Sequence, residues 1–282
     1  MNWSTSRISP KVHRIAVNLA HTEFPFRVLL TGDRHWDNPK SRRDMQKRHL
    51  DQALAIDAPV IDVGDLFCAM ESKHDRRASK SVRDEHNYID YTDRLVNDAI
   101  EWFRPYASQM AILGMGNHET AILSHNNTNL TNRLAAGLGE NTFAAGYHGW
   151  VQFKFVISDS ERHSANLYFH HGAGGGGPVT KGIIDSHRML EWLDNVDVIA
   201  SGHVHQEMVV NVARESINSL GRIKRKEVIF VRVPTYKDEW SDQAGGFAVE
   251  RRHGPRPLGA MWLEFWIDHT DRQVRCRAAS AM

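Results

Sequence analysis

Two short apolar runs rich in strand-forming residues, Phe26 to Thr31 and Pro59 to Val63, each stop abruptly at a glycine-aspartate pair, Gly32-Asp33 and Gly64-Asp65. Between them, Ser41 to Ile56 spaces Met45, Leu50, Leu54 and Ile56 among charged residues, the pattern of a helix with one apolar side. A strand, a helix and a strand in that order imply parallel pairing through a crossover, which commits the first half of the chain to an α/β arrangement. Glu85 to Tyr106 reads as a second helix, and the run Met110 to Leu113 leads through Gly114 into Gly116-Asn117-His118-Glu119.

The second half is richer in strands. Val151 to Ile157, Asn166 to Phe169, Val196 to Ala200, Met208 to Val212, Val228 to Val233 and Met261 to Ile267 all read as sheet, with Ile183 to Leu193 as a helix. The expected fold is α/β, with two mixed β-sheets packed as a sandwich and flanked by helices. A chain of 282 residues with 41% hydrophobic content and no compositional break is read as a single domain, 1–282, whose motif core spans 26–212. Only two biased segments interrupt it: a glycine run, 172–177, and a charged stretch, 71–86, read as a surface loop.

Charge and cysteine content exclude several classes. Lysine plus arginine, 35, nearly cancels aspartate plus glutamate, 34, so no global field demands nucleic acid or an anionic membrane. Cys68 and Cys276 lie far apart and form no CxxC, against both a disulfide framework and a thiolate zinc site. Met1 to Phe24 carries charges and no long apolar run, so it reads as neither signal peptide nor membrane anchor, and a cytoplasmic location is expected.

Several expected strands end in metal-capable side chains: Asp33 with His35, Asp65, Asn117, His171, and His203 with His205. Carboxyl ends of strands in an α/β sheet gather along one edge, where ligands bind. In extended backbone the spacing of Asp33-x-His35, and of His203-x-His205, sends both side chains of a pair to the same side, which would let each pair chelate one ion. Carboxylate, amide and imidazole donors without thiolate suit manganese, iron or zinc. His118 is then free for proton transfer.

These motifs in this order, Gly32-Asp33-Arg34-His35, Gly64-Asp65, Gly116-Asn117-His118-Glu119, His171-Gly172 and Gly202-His203-Val204-His205, resemble the signature of calcineurin-like metallophosphoesterases. The resemblance implies that Asp33, His35 and His205 bind one divalent ion, that Asp65 bridges, and that Asn117, His171 and His203 bind a second. Mn²⁺ is the first choice of metal, with iron or zinc as alternatives. It further implies hydrolysis of phosphomonoesters or phosphodiesters by a hydroxide shared between the two ions, with His118 as the acid. Where the protein Ser/Thr phosphatases of that family carry an aspartate that supports the histidine, this chain has Cys68.

Gly64-Asp65-Leu66-Phe67 is similar to the matching motif of Mre11/SbcD-type DNA nucleases, which makes nucleic acid an alternative substrate; a non-catalytic metal-binding scaffold is the second alternative. Arg222 to Lys226 and Arg251 to Arg256, with Trp240 and Trp262, are the residues a nuclease would use for backbone contact and base stacking, though such charges are more often a solvated face. His118-Glu119 lacks the second histidine of a zincin, and the glycine run lacks the setting of a dinucleotide fingerprint. Strand alternation sends His170 away from the face of His171.

Overall fold

The computed structural model describes residues 2–19, 25–69, 83–86, 89–175, 180, 182–240, 249, 254–268 and 270–282. Its thirteen strands are β1 (Trp3–Ser9), β2 (Val12–Asn18), β3 (Phe26–Thr31), β4 (Val60–Asp62), β5 (Met110–Gly114), β6 (Phe143–Gly146), β7 (His148–Val156), β8 (Arg162–His170), β9 (Val198–Ser201), β10 (Met208–Ile217), β11 (Ile223–Arg232), β12 (Met261–Ile267) and β13 (Val274–Ser280). The α-helices are α1 (Arg43–Ala55), α2 (Tyr91–Phe103), α3 (Asn117–Asn126), α4 (Leu130–Leu138) and α5 (Ile183–Met189).

Two mixed sheets face each other. One runs β1-β2-β7-β8-β9-β11-β10 and the other β13-β12-β3-β4-β5-β6. The expected parallel pairing of β3 with β4 is present, with Leu29 opposite Val60 and Thr31 opposite Asp62. Period-two alternation explains the layers. Val28 and Leu30 point with Val151, Phe153, Phe155, Leu167, Phe169, Leu263 and Phe265 into the core between the sheets. Leu29 and Val60 point the other way, onto Leu50 of α1, Leu95 and Phe103 of α2 and Leu134 of α4. The outer face of the larger sheet is covered near Tyr168, Ile199 and Phe230 by the α5 region through Met189, Leu190 and Leu193.

The structure extends the sequence reading in three places. Residues 2–18 form the hairpin β1-β2, and β2 pairs in parallel with β7, Ile15 opposite Phe153. β12 sits beside β3 in the smaller sheet, so strands from outside 26–212 complete both sheets. The helix expected from Glu85 to Tyr106 is confined to α2, with short 3₁₀ turns at Asp84–His86 and Arg104–Tyr106. Of the charged stretch expected on the surface, residues 71–82 lie outside the described residues, and His86 at its end is buried with its ring 5.2 Å from that of Trp36.

Candidate dinuclear metal site

The strands β3, β4 and β5 of one sheet and β8 and β9 of the other deliver every expected site residue to one shared edge. The segments just past β3 and β4 run side by side, with Asp33 N donating to Gly64 O at 2.9 Å and His35 N to Asp65 O at 3.0 Å. Across the sandwich, Gly202 N donates to His171 O at 2.8 Å. The site is built where the strands have ended and the backbone is free to leave the pleat.

That freedom corrects the extended-backbone expectation. Asp33, His35, Asp65, His203 and His205 all have positive φ, at 47°, 42°, 54°, 72° and 53°. Left-handed backbone is costly for residues with a Cβ and persists where the surroundings over-determine it, as it does at functional sites. It also separates the second pair: His203 turns toward one cluster and His205 toward the other. In place of the paired arrangement expected from the spacing, the structure puts one of these histidines in each cluster.

Asp33, His35 and His205 offer ligand atoms within 4.8 Å of one another, and so do Asp65, His171 and His203. In the first cluster, His205 Nε2 is 3.4 Å from Asp33 Oδ1 and 3.2 Å from His35 Nε2. In the second, His171 Nε2 is 3.2 Å from Asp65 Oδ2 and 3.3 Å from Asn117 Oδ1, and His203 Nδ1 is 2.8 Å from that same amide oxygen. The two are stitched together by His203 N, which donates to Asp33 Oδ2 at 2.8 Å. Asn117 is thus the amide-oxygen member of the second cluster. His170 is not part of it: its Nδ1 accepts from Gly172 N at 3.0 Å and its ring stacks on His148.

These residues fit divalent cations on their own chemistry. Asp33 is fully buried, and its Oδ1 has no hydrogen-bond donor. Imidazole nitrogens converge on buried carboxylates in both clusters. Burial alone would raise the Asp65 carboxyl, but His171, His118 and His35 overcome it and hold it well below the ordinary carboxylate range. Burial would lower His171, and Asp65 overcomes that and lifts it to about 10, so a proton supplies positive charge where the carboxylates call for it. Burial, then His118 and His205, drive His35 well below its usual value, which keeps the imidazole neutral and able to donate a lone pair.

His118 sits at the rim. Its side chain is 12% exposed and that of His205 20%, against 0% for Asp33 and His171, so the two histidines mark the opening. His118 Nδ1 is 2.6 Å from Cys68 O. A carbonyl only accepts, so Nδ1 carries the proton and Nε2, 3.8 Å from Asp65 Oδ2, faces the site. The main chain at Cys68 thereby fixes the tautomer and direction of the His118 ring. Its thiol is buried, and burial, with Asp37 next, pushes it up to about 12. Asp37 fixes this turn by accepting from Cys68 N at 2.5 Å and Ala69 N at 2.8 Å.

Glu119 has a role that the sequence reading missed. Fully buried, it accepts from Gly116 N and Phe67 N at 2.8 Å each and from Asp65 N at 3.2 Å, tying the loop after β4 to the start of α3. Burial, then the charge of Asp65, raise its carboxyl to about 8. A glutamate three residues after the glycine preceding a helix is a recognisable capping signal, and it was present in the sequence. Glycine is also required at 202, where a Cβ would lie 2.5 Å from Asp33 Oδ2, and at 172, where φ is 128° and a Cβ would meet that of His203 at 2.7 Å. The close approach expected of the glycine run is thus present at Gly172, while residues 176 and 177 lie outside the described residues.

Several of the features that suggested a nuclease have ordinary structural roles. Leu66 and Phe67 are buried in the helix-side core, and Trp262 packs against that core. Arg222 to Lys226 lie at the start of β11, which runs parallel to β9 toward the site, so they sit at the far end of the sheet; Arg225 pairs there with Glu215 and Lys226 with Asp197. Of Arg251 to Arg256, residues 251–253 lie outside the described residues. No helix among the described residues is long and apolar enough to cross a membrane.

No protein-family model matches this sequence, and no curated protein matches it. Among solved structures, the chain is similar to GAP50, the anchor in the inner membrane complex of Plasmodium, at 10% identity and TM-score 0.47 over 92% of this chain and 85% of that one. It is similar to the calcineurin-like phosphoesterase YfkN from Bacillus subtilis at 9% identity and TM-score 0.37, over 91% of each chain. Vps29 from Chaetomium thermophilum is similar at 8% identity and TM-score 0.33, over 91% of this chain and 97% of that one. At such scores these likenesses carry no argument about chemistry, and the reading of the site rests on its own geometry.

Proposed function

We propose that this protein is a metal-dependent phosphoesterase. The observation that carries the reading is the pair of adjoining donor clusters, built from buried carboxylates, imidazoles and one amide oxygen, beside a rim histidine of fixed tautomer. Asp33, His35 and His205 would hold one divalent cation, and Asn117, His171 and His203 a second, with Asp65 shared; manganese is the first candidate for carboxylate, amide and imidazole donors, since the Cys68 thiol that lies near His35 and His118 is kept protonated by burial. When bound, such ions supply the positive charge that neutralises a phosphoryl group and acidifies a water.

The remaining work falls to side chains of this protein. His118 keeps its Nδ1 proton engaged with Cys68 O and presents Nε2 to the opening. In its imidazolium form it donates the Nε2 proton to the leaving oxygen, which then departs as an alcohol rather than an alkoxide. Hydrogen bonding by Asp37 and Glu119 holds both flanking loops, so His118 and Asp65 need little reorganisation as charge develops.

Metal-stripped protein re-supplied with Mn²⁺, assayed on a nitrophenyl phosphomonoester, a bis-nitrophenyl phosphodiester and single- and double-stranded DNA, tests the proposal. Metal-restored cleavage of any of these supports it, and the preferred substrate chooses between small-molecule esterase and nuclease. Absence of cleavage despite two bound ions would favour a scaffold.

A further inference from the structure

Beside the candidate site lies a groove of about 660 Å³, lined by the turn between β1 and β2, the end of β6 and the start of α4. Two of its lining residues belong to the wall of the site. Met115 directly precedes Gly116-Asn117, and Tyr147 places its ring 5.4 Å from that of His171 while its hydroxyl donates to Gly172 O at 2.7 Å. The groove therefore shares a wall with the candidate site.

The lining contains Arg7, Lys11 and His148, the amides of Asn129 and Asn132, and no aspartate or glutamate. Its two cations are held by neutral acceptors. Lys11 Nζ is 3.1 Å from His148 Nε2, Arg7 Nη2 donates to Ala144 O at 2.6 Å, and Arg7 Nε donates to His13 Nε2 at 3.3 Å. Elsewhere on the surface, by contrast, Lys47 faces Asp51 and Arg133 faces Asp93. Concave placement, fixed orientation and the absence of lining carboxylates leave positive charge here for an anion to neutralise.

We infer that this groove binds a second phosphate of the substrate, next to the one being cleaved, so that the protein acts on nucleotides or strands carrying successive phosphates rather than on isolated monoesters. The inference rests on the phosphoesterase reading of the neighbouring clusters. Arg7 and Lys11 supply charge-assisted hydrogen bonds to the second phosphate, and Asn129 and Asn132 border it at the N-terminal end of α4.

The test compares the thymidine dinucleotide TpT, which has only the linking phosphate, with pTpT, which carries one more, and with an oligothymidylate strand. The Mn²⁺-loaded wild-type protein should prefer pTpT to TpT by about tenfold or more in kcat/KM, the scale of a charge-assisted contact. Lys11→Gln, alone and with Arg7→Gln, should erase that preference by bringing kcat/KM for pTpT down to the level of TpT, and Lys11→Arg should restore it. Equal rates on the two dinucleotides in the wild type, or a preference that survives both substitutions, would overturn the inference.

Calorimetric binding of pTpT and TpT to metal-free protein separates the groove from the chemistry. If the wild type cleaves nothing yet binds pTpT more tightly in a Lys11-dependent way, the phosphoesterase reading fails and the groove stands; equal, Lys11-independent binding removes the groove as well. A strand that binds far more tightly than pTpT identifies nucleic acid as the source of the second phosphate. Equal affinity identifies a small nucleotide.

Discussion

The Nδ1 nitrogen of His118 donates to the main-chain carbonyl of Cys68 across 2.6 Å. This single bond fixes the tautomer of a rim imidazole whose Nε2 faces the site. His118→Asn should leave metal content unchanged and slow hydrolysis of an alkyl phosphate ester by about 10²- to 10⁴-fold. With nitrophenolate, which departs without protonation, the loss should be small. Steady-state rates on both substrates beside metal analysis check this, and equal rates of wild type and variant on the alkyl ester would remove His118 from the chemistry.

Because the backbone of Cys68, and not its sulfur, makes that contact, Cys68→Ala should keep most of the activity. The cost should be in stability, about 1 to 2 kcal/mol for the lost packing at a site only 3% exposed. In the native protein the thiol should resist alkylation at neutral pH, since it is both enclosed and far from ionised. Iodoacetamide labelling followed by peptide mapping decides the point.

Asp65 faces both sides of the site: its Oδ2 is 3.2 Å from His171 and 3.8 Å from His118, and its Oδ1 accepts from His118 N at 3.0 Å. Asp65→Asn keeps the shape and removes the charge that both ions would share. Metal analysis of the variant should find fewer than two tightly bound ions per chain. Two retained ions would show that the clusters bind independently of a shared carboxylate.

Glu119→Ala would leave three main-chain N–H groups, those of Gly116, Phe67 and Asp65, without their acceptor in a buried place. Each orphaned donor costs on the order of 1 kcal/mol or more, so a loss of roughly 3 kcal/mol or more in urea unfolding is expected. A change below 1 kcal/mol would mean that the loops are held by other contacts.

His13 and His49 should make the fold acid-sensitive well above the carboxylate range. Both are fully buried, and burial foremost, then Arg7 beside His13 and Arg48 and Arg34 beside His49, pushes each imidazole down to about 4. Unfolded histidine titrates near 6.5. Between these values the unfolded chain binds more protons, so stability is present above about pH 6.5 and is lost as pH falls toward 4. Each should cost on the order of 2 kcal/mol between pH 7 and pH 5. Urea midpoints at both pH values should differ less in His13→Gln and His49→Gln than in the wild type, and parallel curves would reject the assignment.

How far the sequence carries depends on whether the signal is local. Phe26 to Thr31 and Val60 to Asp62 were legible as strands, and Asp33, His35, Asp65, Asn117, His171, His203 and His205 as candidate ligands, because strand periodicity and donor chemistry are properties of neighbouring residues. The order of those motifs along the chain likewise marked one edge of an α/β sheet. Other features required the tertiary structure. The hairpin β1-β2 carries exposed polar residues on one face, and its parallel pairing with β7 spans more than a hundred residues, so no local pattern announces it. The left-handed backbone at His203 and His205, and hence their division between two clusters, follows from how two sheets meet beyond their strand ends. The groove of Arg7 and Lys11 exists because that same non-local pairing carries an N-terminal turn to the wall beside His171. Donor identity was written in the sequence, whereas the directions in which those donors point were decided by long-range packing of one sheet against the other.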